Sequence, residues 1–178
     1  QLAMLPTFAL SQINRINFSV LSQRDNKGQK IYVCQMLELY ALLYGPIYGI
    51  GFLIAPWIIP IVYGSEWTEA VVLFQIVLVF AYARGFMSIL GTALNAMDYP
   101  AINAAINWAL VPISIPTFFL GARFGGVTGV AISAALVMGV LATIWFWIAT
   151  CRAAKWNIQD LIKPALLPTI AVILALVA

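Results

Sequence analysis

Long apolar runs broken by short polar punctuation dominate this chain. No charged residue occurs between Glu38 and Glu66, between Asp98 and Arg123, or between Arg123 and Arg152. Each gap is long enough for a membrane-spanning helix, which needs about 20 apolar residues. The pattern predicts helices over roughly 1–22, 31–55, 67–96, 100–121, 126–151 and 163–178, the first and last incomplete. Pro56 and Pro60 are expected to end the second helix, with Gly64 allowing the turn that follows. Asp98-Tyr99-Pro100 marks the next turn. The stretch 153–162, with Lys155, Trp156 and Leu161, predicts a short interfacial helix whose tryptophan sits at headgroup level. The fold class is therefore all-α, a polytopic transmembrane helix bundle of about six helices.

Composition strengthens this. Hydrophobic residues make up 63% of the chain and charged residues 8%, against about 25% charged in a soluble domain. A single core of this size cannot hide so much apolar surface, so the lipid bilayer must serve as solvent. The net charge of +3 implies no nucleic-acid partner. No histidine is present, which removes the commonest metal ligand and general base. Cys34 and Cys151 form no spaced metal motif and read as small apolar fillers. No metal or other cofactor is expected. The chain opens at Gln1 and stops at Ala178 inside an apolar run, so a piece of a longer chain is expected.

Lysine and arginine set the expected orientation. Arg24, Lys27 and Lys30 follow the first helix, and Arg152, Lys155 and Lys163 follow the fifth. The loop after the second helix carries Glu66 and Glu69 and no basic residue. The two basic segments are expected on the cytoplasmic side, with Arg123 on an outer loop as the exception.

Three charges fall within predicted spans: Arg15, Glu38 and Arg84. Placing a charge mid-span costs roughly 2.5–3.5 kcal/mol on insertion scales, so such residues usually face a cavity or a partner. Arg84 is followed by Ser88, Thr92 and Asn95, on one face of the third helix. Ser11, Arg15, Ser19 and Ser22 repeat the design on the first helix, with Gln12 and Asn14 nearby. Asn103 and Asn107 lie one turn apart on the fourth. One expectation is a water-filled cationic cavity lined by all three helices, in which guanidinium groups receive phosphate. The other is that the small polar side chains join helices and Arg84 pairs with Glu38. Glu38 is either a coupling or gating residue or a structural one. Pro112 and Pro116 supply either a hinge or a fixed kink. Gly121, Gly125, Gly129 and Ser133, spaced by four, read as a packing face at the start of the fifth helix.

Several stretches resemble a known family. Leu5-Pro6-Thr7, then Ala9-Leu10-Ser11-Gln12 and a basic loop, is similar to a helix end of polysaccharide transporters. The run Ile54-Ala55-Pro56-Trp57-Ile58-Ile59-Pro60-Ile61-Val62-Tyr63-Gly64, followed by Glu66-Trp67, resembles their tyrosine-glycine-tryptophan signature. Ala93-Leu94-Asn95-Ala96-Met97-Asp98 resembles the end of the following helix, although Met97-Asp98 stands where the family often has Gly-Arg or Gly-Lys. Gly125-Gly126-Val127-Thr128-Gly129-Val130-Ala131 is similar to a later helix start. Together these resemble the polysaccharide export or O-antigen flippases of the multidrug/oligosaccharidyl-lipid/polysaccharide flippase superfamily.

That resemblance implies a transporter of two helical bundles, this chain contributing the C-terminal one. It implies flipping of an undecaprenyl-pyrophosphate-linked oligosaccharide across the bacterial inner membrane by alternating access, with H+ or Na+ as coupling ion. Polysaccharide polymerase and assembly proteins are the partners it suggests. A cation-coupled multidrug antiporter, a membrane-embedded glycosyl- or acyltransferase and a scaffold subunit are the alternatives. The antiporter would favour carboxylates in the spans, where arginine here outnumbers glutamate. The enzyme would need an acid or base at the membrane edge, usually histidine or paired carboxylates. The expectation is a transporter and not an enzyme.

Overall fold

The computed structural model describes residues 17–177. A helical stretch, α1, covers 17–22 and leads through Gln23–Asp25 into α2, Asn26–Tyr63. A 3₁₀ turn, Ser65–Trp67, joins α2 to α3, Ala70–Ala96. Next comes α4, Pro100–Ala134, then a π-helical segment, Ala135–Leu141, and α5, Ala142–Ala154. The last element is α6, Ile158–Val177. No strand occurs among the described residues. The molecule is an all-α bundle. Asn26–Tyr63, Ala70–Ala96 and the run Pro100–Ala154 are long and apolar enough to cross a bilayer.

That last run, 55 residues long, is two helices and not one. Gly126 has φ 55° and ψ −139°, which breaks α4 at a single residue. The chain folds back there. The Ser133 hydroxyl donates to the Thr117 carbonyl (3.0 Å), and Gly121 and Gly129 lie backbone against backbone. Gly121, Gly129 and Ser133 thus do pack, but across a hairpin and not along one helix. Gly125 has nothing near its missing side chain.

The second helix does not stop at Pro56. It continues through Pro46, Pro56 and Pro60 to Tyr63. A proline frees the carbonyl four residues before it. For Pro56 that carbonyl belongs to Phe52, and it accepts a hydrogen bond from Gln75 Nε2 on α3 (2.9 Å). Replacing Gln75 by leucine is expected to leave this carbonyl unpaired and to cost about 1–3 kcal/mol. The drop would be read as a lower unfolding temperature in detergent.

The predicted interfacial helix is also absent. Residues 153–162 are divided between the end of α5, a turn, and the start of α6. Lys155 adopts a left-handed conformation (φ 58°, ψ 39°), and the Trp156 amide closes the helix end on the Cys151 carbonyl (2.9 Å). This folds Trp156 under the bundle, where it is buried and not displayed at a headgroup level. Its indole N–H donates to Asn26 Oδ1 (2.9 Å). The α3–α4 turn uses the same device, with Asp98 at φ 65° and the Tyr99 amide bonded to the Leu94 carbonyl. Aspartate tolerates that conformation better than most residues.

The core lies between α2, α3, α5 and α6 and includes Val33, Leu37, Leu90, Leu94, Phe146 and Leu161. In lipid, close packing and interhelical hydrogen bonds hold such a core, since apolar burial gains little. One end gathers both basic segments. The other carries Glu66, Glu69 and Arg123.

Candidate functional site

Arg84 sits halfway along α3, and its neighbours fix it closely. On one side the Tyr40 hydroxyl of α2 donates to the Tyr82 carbonyl (2.9 Å). On the other the Thr143 hydroxyl of α5 donates to the Ala83 carbonyl (3.0 Å). Gly85 completes the turn: a methyl group there would fall on the Tyr40 phenol ring. That ring is buried and stacked among Tyr44, Tyr82 and Phe86, so it cannot yield cheaply. The turn 82–85 is therefore clamped by α2 and α5, and Arg84, next to both anchor points, is directed out of the packed core. It is exposed. Its guanidinium lies 5.8 Å from the centroid of Phe80, one turn earlier.

Arg84 and Glu38 do not pair. Among the described residues the ion pair is Lys30 with Asp160 (2.6 Å), and Glu38 is exposed on α2. The expectation of an Arg84–Glu38 bridge is thus corrected. The physical reason is the Tyr40 clamp, which fills the α2–α3 contact with aromatic rings and leaves the cation outside it.

The remaining polar residues of α3 and α4 divide into two groups. Thr92 donates to the Ser88 carbonyl (2.9 Å), so its hydroxyl bonds back onto its own helix. Asn95, Asn103 and Asn107 form a hydrogen-bonded ladder. Asn107 Nδ2 donates to Asn103 Oδ1 (2.9 Å) and to the Asn103 carbonyl (2.8 Å). Asn103 Nδ2 donates to Asn95 Oδ1 (2.8 Å) and to the Gly91 carbonyl (3.4 Å). Asn95 and Asn103 therefore join α3 to α4, while Asn107 is exposed. Eleven residues separate Arg84 from Asn95, about 16 Å along a helix. The stripe runs from mid-span toward the basic end.

Gln12, Asn14 and Arg15, with Ser11, lie outside the described residues. Pro112 and Pro116 lie within α4. Hydroxyls crowd around them: Ser114 donates to the Val111 carbonyl (2.9 Å), and Thr117 to those of Ile113 and Ser114 (both 2.9 Å). These bonds fall on carbonyls beside and between the two prolines, not on the ones the prolines free, those of Trp108 and Pro112.

A cavity of about 440 Å³ opens at the α4 hairpin, lined by Thr117, Leu120, Phe124, Ile132, Ser133 and three glycines. None of the sequence-predicted site residues lines it. The tyrosine cluster is a feature that the charge and polar pattern does not mark. Tyr40, Tyr44 and Tyr48 recur every four residues on α2, a spacing that could have marked one aromatic face. Tyr82 extends the cluster, and its hydroxyl shares a hydrogen bond with that of Thr169 on α6 (2.7 Å). Thr143 carried no sequence signal. Beside the Arg84 turn, the π-helical segment brings Gly139 against Phe80 and Ala83. Such widened turns recur at functional sites.

At the basic end Lys30, through its hydrogen bond and its charge, holds the Asp160 carboxyl below the usual carboxylate range. The described residues include no grouping of acids, cysteines or histidines able to hold a metal.

Fold and site together define the class: a helical bundle of membrane-spanning dimensions with an arginine exposed at mid-span. Residues 1–72 match the profile of a family described as "Polysaccharide biosynthesis protein". The matched part covers α1 and all of α2 and extends to the first turn of α3, so Arg84 and the asparagine ladder lie beyond it. None of the curated proteins and none of the solved structures compared matches the chain.

Proposed function

We propose that this chain is a bundle of a flippase that moves undecaprenyl-pyrophosphate-linked oligosaccharide across a bacterial inner membrane by alternating access. The observation that carries this is Arg84: a cation at mid-span, exposed on the bundle surface, with no ion pair among the described residues and with its backbone clamped from two sides. An unpaired charge at that depth is costly unless it faces water or a polar ligand. A guanidinium offers a planar donor fork suited to phosphate oxygens. The polysaccharide-biosynthesis match over residues 1–72 supports a sugar-polymer role. The basic segments at one end fit a cytoplasmic orientation.

The direct test is translocation in proteoliposomes. The whole protein is reconstituted with a fluorescent lipid-linked oligosaccharide, and access of an external lectin or hydrolase to the sugar is followed with time. The expected result is transfer between leaflets well above that of empty vesicles, with no change in the sugar's structure. Export of cationic dyes without sugar transfer would favour the antiporter instead. A covalently altered sugar would point to the transferase.

A further inference from the structure

We propose that the basic end of the bundle is a binding surface for anionic phospholipid headgroups, assembled from two stretches more than a hundred residues apart. Neither stretch makes the surface alone. Asn26, at the first residue of α2, accepts the Trp156 indole N–H (2.9 Å) and donates to the Ala154 carbonyl at the end of α5 (3.2 Å). One turn later Lys30 closes on Asp160 of α6 (2.6 Å). Three contacts thus pin 24–30 against 152–163. They bring Arg24, Lys27, Arg152, Lys155 and Lys163 to one end.

All five of these cations are exposed, and none is in an ion pair among the described residues. Arg24 lies over the Tyr32 ring, 4.7 Å from its centroid, which holds it beside the bundle. Four acids share this end and offset part of that charge. Asp160 is taken by Lys30, and Asp25 caps α2 by accepting from the Gly28 amide (3.0 Å). Asp98 is exposed in the α3–α4 turn, and Glu38 is exposed on α2, two turns beyond Lys30. A surplus of cations remains.

What lies beside those cations selects the occupant. Exposed Ile31 adjoins Lys30, exposed Ile158 opens α6, and exposed Leu166 follows Lys163 within one turn. Cationic heads beside apolar side chains match an anion that carries acyl chains. Basic clusters at the end of a membrane-spanning helix attract anionic lipid in this way, and their long stems reach outward from the apolar surface. A water-soluble acidic partner would have no use for the apolar border. The inference does not depend on the transport activity proposed above.

The test compares spin-labelled phosphatidylglycerol with spin-labelled phosphatidylcholine in proteoliposomes holding the full-length protein. The motionally restricted fraction gives each lipid's relative association. At low salt the wild-type protein is expected to prefer phosphatidylglycerol on the order of tenfold, and screening should weaken that preference as salt rises. The combined variant Lys27→Gln, Arg152→Gln, Lys155→Gln and Lys163→Gln should lose most of it. Should that variant fold poorly, the pairs Arg152→Gln with Lys155→Gln and Lys27→Gln with Lys163→Gln should each lose part. Arg123→Gln, at the opposite end, should lose nothing. Equal association of the two lipids with wild-type protein, or an undiminished preference in folded variants, would overturn the proposal. So would displacement of the labelled lipid by millimolar glycerol phosphate, which would assign the surface to soluble phosphate. Displacement by polyglutamate would assign it to an acidic protein segment, and would overturn the lipid assignment equally.

Discussion

Arg84→Ala is expected to abolish complementation of a strain that lacks its flippase, while the protein remains at normal abundance in the membrane. The two halves of this expectation come from separate observations. The guanidinium is exposed, and its contact within the bundle is the 5.8 Å approach to Phe80. Such an exposed cation–π contact contributes about 0.5–1 kcal/mol, too little to unfold the bundle. A charge-assisted hydrogen bond to a bound phosphate contributes about 1.5–3 kcal/mol, and its loss lowers binding roughly 10- to 100-fold. Arg84→Lys separates charge from geometry. Lysine keeps the cation but offers no planar fork, so an intermediate defect is expected. Complementation by Arg84→Ala at the wild-type level would remove this residue from the mechanism. A matching loss of abundance would instead make it structural.

Gly129→Val should have the largest effect on stability. A side chain at this position meets the Gly121 carbonyl across the hairpin, and backbone cannot swing aside as a flexible side chain can. The hairpin must open, which also breaks the bond from Ser133 to the Thr117 carbonyl. A cost of about 3 kcal/mol or more follows, with a marked fall in unfolding temperature and in monodisperse yield. Gly125→Ala is the control. It belongs to the same four-residue repeat, yet nothing lies within 4 Å of the added carbon. Its effect should stay within about 0.5 kcal/mol. Equal losses from the two substitutions would show that the close approach at Gly129 is not what holds the hairpin, since helix propensity alone would favour both replacements.

Comparison of these glycines shows how far local sequence reaches. The repeat of Gly121, Gly125, Gly129 and Ser133 announces close packing. The charge pattern divides two helices near 121–126, but neither it nor the repeat shows that Gly126 alone makes the reversal and sets these residues face to face across it. The prolines teach a similar lesson. Pro56 removes a backbone donor, and locally that ends a helix. Whether it does end depends on Gln75, 19 residues away, reaching the freed carbonyl. The end of α5 departs from the local pattern for the same kind of reason. Trp156 has the composition of an interfacial anchor, but Asn26, near the other end of the described chain, accepts its indole N–H and the ring is buried.

The sequence alone determined the solvent, the fold class and the cation. Uncharged runs long enough to cross a bilayer, together with 8% charged residues, leave a helical membrane bundle as the economical structure, because backbone groups in lipid must satisfy one another within each helix. Arg84 stood out because a charge at mid-span carries its cost wherever the other helices lie. Tertiary structure decided the partners. It spent Asn95 and Asn103 on a helix contact, kept Glu38 away from Arg84, clamped the arginine's turn with Tyr40 and Thr143, and joined the two basic segments directly through Asn26, Trp156, Lys30 and Asp160. Hydrogen bonds and steric contacts between helices act over a few ångströms in space, and the pairings they select are not written in the spacing along the chain.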